Sequence, residues 1–354
     1  MKWLWRIITA VLILALAAAI WFLYFRIQPV PVSPADLTPE IVTPPSSASA
    51  TLPVDSRLEG LPERADGARL LWDNPDRGAI LGAAFADSGS FVISATDPAG
   101  YRVFALDLAT RQVAHELDSA TSIRASASRP VNRNADAFCY SGLTSPRNTL
   151  EIWCRNYAWE NPRRLTSHDG PENLVSPTIS PDGSVVTFEV IAPATRKSSE
   201  TIGTIWSIGL DGTGIKQLTR GADDRSPTWS DDGARIYFQR HLPDGSWDIY
   251  SMGADGTNPT PVLQTYAQDE RGPVVVPQTS QIAFVESSSD TPARVRLLNV
   301  LTKAGEWLTG ENLGPESFVS ISPDGQLAGL VAPVDASSTS TRMGVWLMSL
   351  EPKS

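Results

Sequence analysis

Three histidines and two cysteines in 354 residues are a thin supply of catalytic and metal-binding side chains. His115, His168 and His241 stand far apart, and the sequence has no His-Glu-x-x-His, no Gly-x-Ser-x-Gly and no P-loop. Those absences remove the zinc peptidase, the hydrolase elbow and the nucleotide site. No catalytic residue, metal or cofactor is expected. Basic charge is also scarce: 29 Lys and Arg against 39 Asp and Glu give a net charge of −10, with no basic stripe. Nucleic acid, which is held by phosphate neutralisation, is therefore not an expected partner. Charged residues make up only 19% of the chain while tryptophan reaches 11, which suits a well-buried β-rich core.

What the chain does contain is a repeat. Residues 176 onward read SPTISPDGSVVTFEV and then TIWSIGLDGTGIKQLT; residues 226 onward read SPTWSDDGARIYFQR and then SWDIYSMGADGTNPTPVLQ. Each copy has Ser-Pro, a short apolar run, an Asp-Gly turn, an alternating strand, another strand, a second Asp-Gly and a last short strand. Four short strands per unit is the grammar of a propeller blade. The first-turn position falls at Gly89, Ala135, Gly183, Gly233, Thr279 and Gly325, with steps of 46, 48, 50, 46 and 46 by subtraction. Six units result. The last unit supplies only three strands of its own, and Arg69-Leu70-Leu71-Trp72 stands spare before the first. The strand 69–72 is expected to close the last blade and so remove an unpaired sheet edge.

The turn aspartates Asp182, Asp211, Asp232, Asp255 and Asp324 lack the Asp-x-Asp-x-Asp-Gly spacing of a calcium loop, and Asp-Gly between alternating strands predicts a hairpin turn. Trp153, Trp206 and Trp346, with Tyr250 in the matching place, recur at strand positions and are expected to pack between blades. Aligned on the fourth unit, Cys139 falls level with Tyr237 and Cys154 with Ser251, on neighbouring strands of one blade. That register permits a disulfide, with two buried thiols as the alternative.

SPDG, TIWSIGLDGTGIKQLT and DIYSMGADGT resemble the repeat of the TolB-like six-bladed β-propellers, over residues 68 to 350. The resemblance implies the fold: an all-β six-bladed propeller, monomeric, at 67–354. It is weak for function, since such blades occur in envelope scaffolds, in propellers attached to peptidases and in some lyases. The lyases hold a metal with clustered histidines, and here His168 and His241 would meet only if both loops folded over the channel. The α/β domain that precedes the TolB propeller is replaced by a different amino terminus.

That amino terminus reads as a cytoplasmic tip (1–6), a transmembrane signal-anchor helix (7–25) and a linker rich in Pro, Ser and Ala (27–66). Ile7 to Phe25 carries no charge and approaches the roughly 20 apolar residues a spanning helix needs. Lys2 and Arg6 precede it, which by the positive-inside bias puts the propeller outside the cytoplasm. A leader cleaved near Ala17-Ala18-Ala19 is the rival reading and gives the same compartment. The prolines from Pro29 to Pro53 predict a semi-rigid tether.

One feature rises above the scaffold. The connections that lead into each unit are acidic, and in a propeller they gather at one mouth of the channel. They hold Asp76 and Arg77; Asp169 and Glu172; Asp223, Asp224 and Arg225; Asp269, Glu270 and Arg271; and Glu311 and Glu316. The stretches Ile191 to Gly203 and Ala332 to Arg342 read as long loops at the same mouth. Binding residues concentrate on loops held by a rigid scaffold. The expected function is a protein-binding or scaffold module of the cell envelope, contacting an envelope protein through this mouth. An envelope polysaccharide lyase or hydrolase with its site at the mouth is the alternative, and a merely solvated rim with Asp-Arg pairs between blades is the plain one.

Overall fold

The structure, a computed structural model, describes residues 27–29, 54–73, 79–97, 100–117, 123–128, 137–144, 149–156, 160–193, 201–265, 268–310, 318–334 and 342–350. The expected cytoplasmic tip and membrane helix lie outside them. No helix among the described residues is long and apolar enough to cross a membrane.

Six four-stranded antiparallel sheets form the body. Their innermost strands are Ile80–Asp87, Ile123–Ser128, Asn173–Ile179, Asp223–Trp229, Asp269–Val276 and Phe318–Ile321. Each touches the next, and the last touches the first, so the sheets stand as blades 1 to 6 around a closed ring. In blade 6 the outer strand is Arg69–Asp73, which pairs with Met343–Ser349. The strand that precedes blade 1 therefore completes blade 6.

The turn chemistry repeats as well as the strands. In blade 3 the Ser180 hydroxyl accepts the Val185 N–H at 2.9 Å, and Asp182 accepts the Ser184 N–H at 3.1 Å. Ser230 with Asp232 and Ser322 with Asp324 do the same in blades 4 and 6. Gly183, Gly233 and Gly325 close these turns at φ of 75°, 68° and 71°, a region that strains any residue with a Cβ.

Apolar packing lies between blades, not within them. Each of the six buried clusters joins two neighbouring sheets. Phe188, Phe238 and Phe284, one place apart by the repeat, are wholly buried wedges. Trp153, Trp206, Tyr250 and Trp346 join the same clusters. Each blade is thus half of two cores, and none has a core of its own.

Cys139 and Cys154 face each other across the middle strands of blade 2, with Cα atoms 4.0 Å apart, and are joined by a disulfide. The bridge closes a loop of 15 residues. Replacing both by serine is expected to cost about 2–4 kcal/mol, read as a lower denaturant midpoint that reductant no longer shifts. Identical midpoints for both proteins would show the bridge to be idle.

The linker differs most from its expectation. Ile27–Pro29 runs antiparallel to Thr166–His168 beside blade 2. Val54–Leu58 is a short helix, after which Leu58 and Leu61 enter the cluster between blades 6 and 1. Arg57, only 1% exposed, bonds the Ser88 carbonyl at 3.0 Å, Asp324 at 3.0 Å and Gln326 at 2.8 Å. It thereby pins the first turn of blade 1 to that of blade 6. Burial alone would raise the Asp324 carboxyl, but Ser322, the Gln326 N–H and Arg57 hold it below the usual range. The free tether therefore does not extend to residue 66, because apolar and cationic side chains after Val54 find partners on the ring.

Candidate functional site

The inner strands start on the face that carries the connections between blades, together with the hairpins between second and third strands. The two stretches expected as long loops there are shorter. Paired backbone extends to Pro193 and Thr201 in blade 3 and to Pro333 and Met343 in blade 6.

The first residue of an inner strand clips the blade before it. Asn173 accepts the Leu150 N–H at 3.0 Å, Asp223 the Gly203 N–H at 2.7 Å, and Asp269 the Trp247 N–H at 3.0 Å. Two residues on, an arginine returns to the same carboxylate: Arg225 to Asp223 at 2.7 Å and Arg271 to Asp269 at 2.8 Å. Both guanidiniums stack on Trp247, at 5.4 and 5.2 Å from the ring centre, and the His241 ring lies 4.8 Å away from it. Asp223, Arg225, Asp269 and Arg271 are therefore at the mouth, already paired.

Asp224 and Glu270 correct the sequence reading. Both are wholly buried, since the inner strands begin one residue before them and pleating turns every second side chain into the seam. Asp224 accepts two bonds from Arg240, at 2.6 and 2.9 Å, and that guanidinium lies over Phe238 and Tyr250. Asp169 is exposed and Glu172 half-buried at the edge between blades 2 and 3. Asp76, Arg77, Glu311 and Glu316 lie outside the described residues. The mouth is not a bare acidic rim.

Beneath it, three consecutive seams hold buried titratable groups, of which the sequence reading missed Glu151, Glu189 and Asp248. Between blades 2 and 3, His168 sets one ring nitrogen 2.8 Å from Glu151 and the other 2.8 Å from the Glu172 carbonyl. Burial pulls its pKa down, but the bond and charge of Glu151 outweigh that and raise it. Between blades 3 and 4, burial lifts Glu189 to about 7, against the Ser226 N–H at 3.2 Å and Arg225 at 3.9 Å. Between blades 4 and 5, Asp248 and Glu270 meet, and burial raises both, Glu270 to about 8. His168 and His241 do not meet: one is buried against Glu151, the other exposed beside Trp247.

The channel itself holds a cavity of about 510 Å³. Its wall bends where the sequence has Ser-Pro. Ser176, Ser226 and Gly272 take φ of 53°, 52° and 61°, and the register of each inner strand slips there. Such a φ is strained for serine, more so before proline. The bulge aims backbone at the preceding blade: the Ser226 N–H meets Glu189, and the Gly272 N–H meets Gln239 at 2.7 Å. Pro177, Pro227 and Pro273 then face the cavity, and Phe318, 41% exposed, stands at its rim. Among the described residues no three His, Cys, Asp or Glu side chains are placed to hold a metal ion.

Ring, channel and paired mouth define a six-bladed β-propeller. Its form is TolB-like, as two solved structures illustrate, and a third shows the same fold on an enzyme. A structure assigned to TolB of Agrobacterium tumefaciens superposes with a TM-score of 0.56 at 17% identity, covering 80% of this chain and 94% of that one. TolB from Acinetobacter baumannii gives 0.55 at 18%, covering 75% of this chain and 65% of its own. An oligogalacturonate lyase in complex with manganese gives 0.51 at 13%, covering 79% and 77%. At these identities the likeness is one of fold. No protein-family model matches the sequence, and no curated protein matches it.

Proposed function

We propose that this chain is a protein-binding module of the cell envelope, held outside the cytoplasm by an amino-terminal anchor, and that an envelope protein docks over the channel mouth. The observation that carries the reading is the mouth: an exposed Phe318 ring and the Asp269–Arg271 pair stand beside a cavity of about 510 Å³ in a rigid ring. An aromatic anchor rimmed by charge is what protein interfaces use. The Cys139–Cys154 bridge supports an oxidising compartment, and the charge bias of residues 1–26 supports the anchor. The lyase likeness favours the second reading, an envelope polysaccharide lyase working at the same mouth.

The test is capture of envelope proteins on immobilised full-length chain in detergent. Phe318→Asp with Arg271→Glu is expected to weaken a retained protein at least tenfold, as losing a central aromatic costs about 2 kcal/mol. A retained protein that binds both forms equally would overturn docking at the mouth. Retention of no protein, together with turnover of a uronate polymer, would establish the lyase instead.

A further inference from the structure

The seam between blades 4 and 5 has an arrangement that the fold does not need. Asp248, on the third strand of blade 4, and Glu270, on the inner strand of blade 5, are both wholly buried. Neither Asp248 oxygen has a hydrogen-bond partner of normal geometry, and neither does Glu270 Oε2. Ionised carboxylates only accept hydrogen bonds, so two of them side by side repel and leave their oxygens unsatisfied.

The neighbours make this worse. Glu286, from the second strand of blade 5, adds negative charge towards Glu270, and Asp244 and Asp269 add it towards Asp248. The cations of these strands are committed elsewhere: Arg296 to Glu286 at 2.7 Å, Arg271 to Asp269 at 2.8 Å and Arg240 to Asp224 at 2.6 Å. Thr265, at the end of blade 4, gives its hydroxyl to Glu270, and its backbone favours a charged Asp248. One proton resolves the conflict. Placed on Glu270, it turns an acceptor into a donor towards Asp248, which Thr265 then helps to hold as the ion.

We propose that Asp248 and Glu270 share a single proton that latches blade 4 to blade 5, and that its loss loosens this seam beside the channel mouth. The latch stands apart from the partner reading. Deprotonation puts a second charge into a closed seam where the described arginines are already paired. The Asp269 clip on the Trp247 N–H, one residue from each carboxyl, is then the contact most exposed to that repulsion.

The sign follows from the raised carboxyl. In the unfolded chain glutamate titrates near 4.3, and in the ring Glu270 titrates at about 8. The folded state therefore holds one more proton across that window. The pair's contribution to stability is full below it and falls as pH rises, up to about tenfold in the folding equilibrium per pH unit, until the folded group has titrated. Glu189 and His168 slope the same way in the two preceding seams, so the test must be a difference.

Full-length wild type, Glu270→Gln and Asp248→Asn are compared by thermal midpoint from pH 5 to 9 and by the infrared carbonyl band of a protonated carboxylic acid. Wild type is expected to show the band at pH 6, Glu270→Gln to lose Glu270's share of it and about one proton's worth of pH slope, and Asp248→Asn to keep the band but move the slope to lower pH. Amides of 269–276 should exchange faster in wild type at pH 9 than in Glu270→Gln. An unchanged slope in either folded variant, or no protonated carboxyl in wild type at pH 6, overturns the proposal. So does a wild-type midpoint raised by calcium but not in the variants, which would make the pair a cation site.

Discussion

Arg57→Ala is expected to lower the thermal midpoint of the whole propeller by roughly 5–10 °C, although the residue precedes the first blade. The change leaves Asp324 and Gln326 facing an empty buried site at the junction of blades 1 and 6. Breaking a buried pair by removing one partner costs about 3 kcal/mol or more, and each kcal/mol moves a domain of this size by about 2–4 °C. A fragment starting at residue 66 should show the same loss together with that of Leu58 and Leu61. Calorimetry of the full chain against Arg57→Ala checks this; equal midpoints would mean that the segment 54–61 merely rests on the ring.

The second large effect concerns a residue that the sequence places at the mouth. Asp224→Ser is expected to destabilise the protein by about 3–5 kcal/mol, while the folded fraction still binds whatever docks above. Its carboxylate has no exposure, and its loss leaves Arg240 held against Phe238 and Tyr250 without a counter-charge. Asp224→Leu with Arg240→Met should recover most of the loss, because replacing both members of a buried pair by apolar groups is often neutral. A double variant as weak as the single one, by denaturant midpoint, would mean the pair sets the shape of the strand and not only its charge balance.

The propeller could be read because its local rules repeat. Ser180, Asp182 and Gly183 form a turn that needs those residue types, and the chain uses it again at Ser230 and Ser322. Cys139 and Cys154 fall in register for the same reason. The mouth was harder, because an acidic residue next to a turn reads alike whether it points to water or into a seam. A signal did exist for Asp224 and Glu270: the matching place in blade 3 is Leu174, apolar and wholly buried. Carboxyls standing where the repeat has leucine mark a polar seam. Arg57 gave no such sign, since it lies in proline-rich chain outside the repeat and its partner is 267 residues away. The Ser-Pro pairs were legible as unit boundaries, yet not as bulges, because a left-handed serine before proline goes against local preference.

The sheet shared by the strands 69–73 and 343–349 has a consequence in time. Arg69–Asp73 is made before the first blade, and its partner Met343–Ser349 only after the other five blades. Until the later strand arrives, the early one lacks its partner in the sheet, and blade 6 is incomplete. Contacts that distant are reached slowly, and unpaired strand edges invite association with other chains. A holding factor that covers residues 69–73 during synthesis would thus protect the ring before it closes, and would be released by closure itself.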